Sequence, residues 1–205
     1  PTKPATDTAL MLALVHTWPL ATDLAHLTRH DNRDAVLNTW IVAWVARTLV
    51  VDPLHLFDAN IFFPERHTLA YSEPLLVQAV MGAPLLWLGL SPVLVSNLLL
   101  LAGLTLSGWA MALVMHRWTE DWSAAMVSGA LFAFNAHILS RIPHLQAQHV
   151  EFLPLALFAF DRLLEAPTTR NALRLAAWFV LQAFTSVYLL AITTFALIAA
   201  MLARL

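Results

Sequence analysis

Cysteine is absent from the 205 residues. That excludes disulfides, thiolate nucleophiles and thiolate metal sites. Charge is scarce: Asp, Glu, Lys and Arg make up 12% of the chain, about half of the roughly 25% typical of a soluble domain. A net charge of −2 lacks the basic excess of a nucleic-acid binder, so no nucleic-acid partner is expected. A Gly-rich phosphate loop, zinc-ligand spacing and a nucleophile elbow are missing too. The first apolar run, Ala9 to Leu20, has no small-residue cleavage site and flows into His16-Thr-Trp-Pro19, so no cleavable signal is read there. What abounds is apolar surface. The chain is 60% hydrophobic with a mean hydropathy of +0.69, the composition of an integral membrane protein.

A membrane-spanning helix needs about 20 mostly apolar residues. Val93 to Met115 meets this without a charge, and Ser91-Pro92 in front supplies an N-cap and a first-turn proline. Trp122 to Ser140 is the next candidate. His144 to Phe160 follows, interrupted by Glu151 and kinked at Pro154. Asp161 to Arg174 reads as a polar connector. Leu175 to Ala203 is uncharged and reads as two helices meeting at a break near Thr185-Ser186. Thr8 to Leu27 is the opening helix. The expected fold is therefore all-α, a polytopic transmembrane bundle in a single membrane module over residues 1–205, with a loop at 28–91 and the bundle at 92–205. The chain starts at Pro1 and ends within an apolar run, and is read as the N-terminal piece of a longer protein.

Arg117, Arg162, Arg170 and Arg174 fall on one side of this arrangement and mark it as cytoplasmic. The loop from Thr28 to Ser91 then lies outside the cytoplasm. Two helices within it, about Ala35 to Val51 and Pro74 to Leu90, are expected to lie along the membrane surface. Trp40 and Trp44 recur at helical spacing in the first. The second is uncharged and nearly long enough to span, and the surface placement is preferred because Gly82-Ala-Pro84 would kink it.

The loop carries the chemistry. Asp34 precedes an apolar-periodic helix, where it serves as an N-cap, as a general base, or as both. Asn38 lies one turn on and could orient it; Asp31 is the second candidate base. His144, Gln148 and Glu151 are spaced by four and three, which puts them on one face of a helix. An ionisable residue inside a span is a functional candidate by default, although Glu151 could equally bridge to Arg141. His149 points away from that face. Imidazole and carboxylate together suit a divalent metal, with Glu73, Glu151 and His149 as the candidate ligands, or a phosphate. Glu73 in Tyr71-Ser-Glu-Pro74 either belongs to a helix opening or faces Asp34. Arg66 and His67 could contact a lipid phosphate. Tyr188 lies beside the break at Thr185-Ser186, which marks a cavity wall or packing of small residues.

The order of these motifs resembles the N-terminal module of GT-C-type integral membrane glycosyltransferases, the aminoarabinose transferase and protein O-mannosyltransferase group. The resemblance runs from Thr17-Trp-Pro19 through Asp31 to Asp34 and Asp34-Ala-Val-Leu-Asn38-Thr-Trp40. It continues through Phe57-Asp-Ala-Asn-Ile-Phe-Phe-Pro64, Tyr71-Ser-Glu-Pro74, the Val93 helix, His144-Leu-Gln146 and the broken final pair. It implies a sugar donor linked to polyprenyl phosphate, used at the outer face of a bacterial inner membrane, with Asp34 as the base. By the same resemblance Glu73 matches a carboxylate at the second surface helix, and Glu151 an acidic residue near the second outer loop. The pattern departs in two places. Asp31 and Asp34 are three apart where the acidic pair is often adjacent, and Pro74 stands where aminoarabinose transferases have lysine. A transporter, or a non-catalytic lipid-binding subunit on the same scaffold, is the alternative. A transporter predicts inverted repeats and mid-membrane carboxylates, and no repeat is visible.

Overall fold

The computed structural model describes residues 3–28 and 33–204. Among these residues every regular element is helical and there is no strand. Three segments are long and apolar enough to cross a membrane: Arg33–Val51, Pro92–Thr119 and Trp122–Ser140.

Helix α1 runs Lys3–His16, shorter than the expected Thr8 to Leu27, and a turn at Leu20–Thr22 follows. Pro19 explains the stop, because proline lacks the N–H a helix would need and restricts the residue before it. Helix α2, Arg33–Val51, places Asp34 inside its first turn rather than ahead of it. At 19 residues it can span as well as lie flat, so its length does not require the surface placement. Helix α3, Leu76–Trp87, replaces the expected Pro74 to Leu90. Its 12 residues rise about 18 Å, short of a hydrocarbon core about 30 Å thick. Leu75, with φ 49°, turns the chain into it.

Helix α4, Pro92–Thr119, starts as expected: Ser91 accepts the Leu94 N–H at 3.2 Å and Pro92 occupies the first turn. The candidate span from Trp122 to Ser140 is two helices, α5 (Trp122–Ala133) and α6 (Ala136–Ser140). Asn135 restarts the chain by accepting the Ile138 N–H at 3.0 Å. Residues 144–151 are not helical, apart from a short 3-10 turn at Leu145–Gln148, and α7 begins only at Phe152. Pro154 therefore sits in a first turn, where its missing N–H is not needed, and makes no kink. Helix α7 continues to Glu165 and α8 runs Thr169–Thr185, so the expected polar connector is mostly helix. The break at Thr185-Ser186 is present: α9, Val187–Leu202, opens with Ser186 accepting the Leu189 N–H at 3.3 Å.

Helix α4 is the central post, touching α1, α2, α3, α5 and α7. Against α5 the backbones nearly meet. A Cβ on Gly129 would lie 2.5 Å from the Gly108 carbonyl oxygen, so this crossing depends on glycine in the way small-residue interfaces do between apolar helices. One core joins Ile41, Val42 and Leu69 of the 28–91 segment to Val95, Leu104 and Ile138 of the bundle. Val127, Leu131, Val180, Phe184, Phe195 and Ile198 stay exposed, a surface suited to lipid rather than water.

Candidate functional site

A cavity of about 350 Å³ opens between the α5–α6 junction, the 144–153 segment and the start of α9. Its polar lining is Asn135, His137, Arg141, His144, Gln146, Ser186 and Tyr188, and Phe132, Ile138, Leu153, Leu189 and Ile192 are among its apolar walls.

Buried amides hold the frame. Gln148 is fully buried, and its Nε2 donates to the carbonyls of Arg141 at 2.8 Å and Ile138 at 3.3 Å, tying the 145–148 turn to α6. Asn38 donates its Nδ2 to the Pro143 carbonyl at 3.0 Å. It fixes α2 against the same segment rather than orienting Asp34. One residue further on, His144 Nε2 stands 3.4 Å from Asp34 Oδ2, with both side chains partly exposed. The two candidates from distant parts of the chain thus meet at the cavity edge. His144 Nδ1 and Gln146 Oε1 are buried and lack a hydrogen-bond partner among the described residues.

Glu73 does not open its own helix. Its Oε1 accepts the Ser186 hydroxyl at 2.9 Å and the Tyr188 N–H at 3.3 Å, and its Oε2 accepts the Val187 N–H at 3.1 Å. It caps α9 from outside, behind the two residues that line the cavity. The charge suits the positive end of that helix.

The expected face of His144, Gln148 and Glu151 does not exist, because no helix runs through them. Glu151 instead belongs to a second, enclosed cluster with His149, the residue read as pointing elsewhere. His149 Nδ1 lies 2.9 Å from Glu151 Oε1, and both side chains are buried. His149 Nε2 meets the Leu99 carbonyl at 3.1 Å. Ser107 Oγ lies 3.3 Å from Glu151 Oε2. A carbonyl only accepts, so Nε2 carries a proton, and a 2.9 Å contact needs one more proton between Nδ1 and the carboxyl. Gly103 of α4 makes room: a Cβ there would lie 2.8 Å from His149 Cδ2 and 2.9 Å from Nε2. The Arg141 bridge to Glu151 is not formed.

The three residues considered for a metal do not converge. Glu73 spends its oxygens on the α9 terminus, Glu151 and His149 spend their donor atoms on each other, Ser107 and Leu99, and no group of three metal-ligating side chains occurs among the described residues. Arg66 and His67 are also apart from the cavity lining. His67 donates its backbone N–H to Asp58 Oδ1 at 2.8 Å, and this bond holds the Asp58 carboxyl below its ordinary value. Tyr71 is exposed and packs beside Phe62, ring centroids 5.9 Å apart. Asp31 lies outside the described residues.

Sequence reasoning did not assign Arg141 and Asn135 to the site. The available signal was the cluster of Asn135, His137, Ser140 and Arg141 between apolar runs. No family model, curated protein or solved structure matches the chain.

Proposed function

We propose that the chain is the membrane module of a glycosyltransferase. It moves a sugar from a polyprenyl-phosphate-linked donor to an acceptor at the outer face of a bacterial cytoplasmic membrane. The observation that carries the reading is the Asp34–His144 pair at the rim of a cavity that combines Arg141 and two histidines with an apolar wall. Such a donor needs both halves: cations for its phosphate and apolar surface for its chain. The motif order that resembles GT-C enzymes adds the chemistry.

In this mechanism Asp34 takes the proton from an acceptor hydroxyl or amine as that group attacks the anomeric carbon. The bond from that carbon to the phosphate oxygen breaks, and the electron pair leaves with polyprenyl phosphate. Arg141, which lines the cavity, offsets the charge that develops there, and His137 beside it can donate a ring N–H. His144 holds the Asp34 carboxylate in place.

Asp34→Asn tests the reading. It keeps shape and removes basicity, so transfer from a polyprenyl-linked donor should fall by about 10²-fold or more while donor binding persists. Transfer at the wild-type rate removes Asp34 from the chemistry, and donor binding without any transfer by the unaltered protein favours a lipid-binding subunit.

A further inference from the structure

We propose that a second cavity, at the other end of the α7–α8 hairpin, binds the headgroup of an anionic phospholipid. It measures about 360 Å³ and lies between the last two turns of α4, the stretch of α7 from Leu155 to Arg162 and the first half of α8. Arg117, Arg162, Arg174 and Asn171 line it, with Phe158 and Trp178 on the apolar side. Leu153 near the start of α7 lines the candidate site and Arg162 near its end lines this cavity. Helix α8 begins here and ends beside Ser186. The arginines of the second cavity therefore stand at the far end of these helices from the candidate site, and no proposed catalytic residue lines it.

Two of the nearby carboxylates are already engaged: Glu165 pairs with Arg162, and Asp161 pairs with Arg204 and accepts the Trp118 Nε1–H at 3.1 Å. Among the described residues neither Arg117 nor Arg174 forms an ion pair. Two guanidiniums over one hollow suit a phosphate, which they bind through paired N–H donors. Basic pockets between membrane helices take anionic headgroups for the same reason. The occupant is a lipid rather than free phosphate because Phe158, Trp178 and Leu155 continue the hollow as an apolar wall, and Trp118 sits beside it as interfacial aromatics do. The inference rests on α4 crossing a bilayer and is independent of sugar transfer.

Trp178 supplies the probe. The protein is reconstituted in phosphatidylcholine nanodiscs containing phosphatidylglycerol or phosphatidylcholine with brominated chains, and Trp178→Phe identifies the contribution of this tryptophan to quenching. The brominated phosphatidylglycerol should quench Trp178 at a mole fraction roughly tenfold lower than the brominated phosphatidylcholine. The Arg117→Ala, Arg174→Ala double variant should erase that preference with helicity unchanged by circular dichroism. Arg117→Lys, Arg174→Lys, which keeps the charges, should retain most of it. Equal quenching by the two lipids, or a preference that survives the double alanine variant, overturns the proposal. So does loss of the preference on adding millimolar inorganic phosphate, which would mark a free-phosphate site. A loss of sugar transfer with the lipid preference intact would concern only the other cavity.

Discussion

Replacing Glu73 separates a structural strut from a chemical group. Its carboxylate receives three donors at the start of α9, at 2.9, 3.1 and 3.3 Å. A hydrogen bond to a charged group contributes about 1.5–3 kcal/mol, and loss of a helix cap costs about 0.5–2 kcal/mol. Two of the bonds are long and exposed, where solvent can replace them in part, so the lower ends of those ranges apply. Ser186 still caps Leu189 when the carboxylate is gone. Glu73→Ala should therefore cost about 2–3 kcal/mol, a fall in melting temperature of roughly 5–10 °C for a chain of this length. Glu73→Gln should cost less in packing, yet its amide nitrogen would turn one acceptor into a donor facing an N–H. Melting of the purified protein in detergent, followed by tryptophan fluorescence, reads both variants. Limited proteolysis near Ser186 should rise in parallel, because the α8–α9 joint loses its only link to the 71–76 segment recorded among the described side-chain bonds. A melt within about 0.5 kcal/mol of wild type for both variants, together with abolished transfer, would refute the strut and make Glu73 part of the chemistry.

Gly103→Ala gains about 1 kcal/mol of helix propensity, yet its Cβ would press on His149 at 2.8 Å. Overpacking costs about 1–3 kcal/mol, and displacing His149 from the Leu99 carbonyl adds to that, so the variant should melt lower; an unchanged or higher melt would mean α4 does not approach His149 this closely. His55 should titrate above its ordinary value, because Asp52 accepts its ring N–H at 3.0 Å and then attracts its charge. Since the folded value is raised, the pairing helps below the unfolded value of about 6.5 and is lost as pH rises through the folded one; ring-proton NMR of wild type and Asp52→Asn checks this, with the variant shifting downward.

Legibility followed the range of the interactions. The start of α4 at Ser91-Pro92 and the break at Thr185-Ser186 were readable because a cap is local: Ser91 bonds a residue three positions on, and so does Ser186. The 144–151 segment was misread for the opposite reason. Spacings of four and three fit a helix, but Gln148 bonds carbonyls at Ile138 and Arg141, and His149 bonds Leu99, fifty positions away. Those distant acceptors outbid the local period. Glu73 failed likewise: its neighbours Ser72 and Pro74 imitate a helix start, and its partners lie 113 or more positions along. Asp34 and His144 were each legible as candidates, but their approach at 3.4 Å joins parts of the chain too far apart for a local pattern to show, and the helix meant to carry His144 is a loop.

The enclosed His149–Glu151 pair has an electrical consequence. With Nε2 committed to Leu99, one proton is shared between ring and carboxyl. Whether it rests on nitrogen or oxygen, the two groups sum to zero charge. A membrane potential acts on net charge, at about 2.3 kcal/mol per elementary charge per 100 mV, so it finds nothing there to pull. Were α4 to cross a bilayer, this buried pair would offer a membrane potential no net charge to act on.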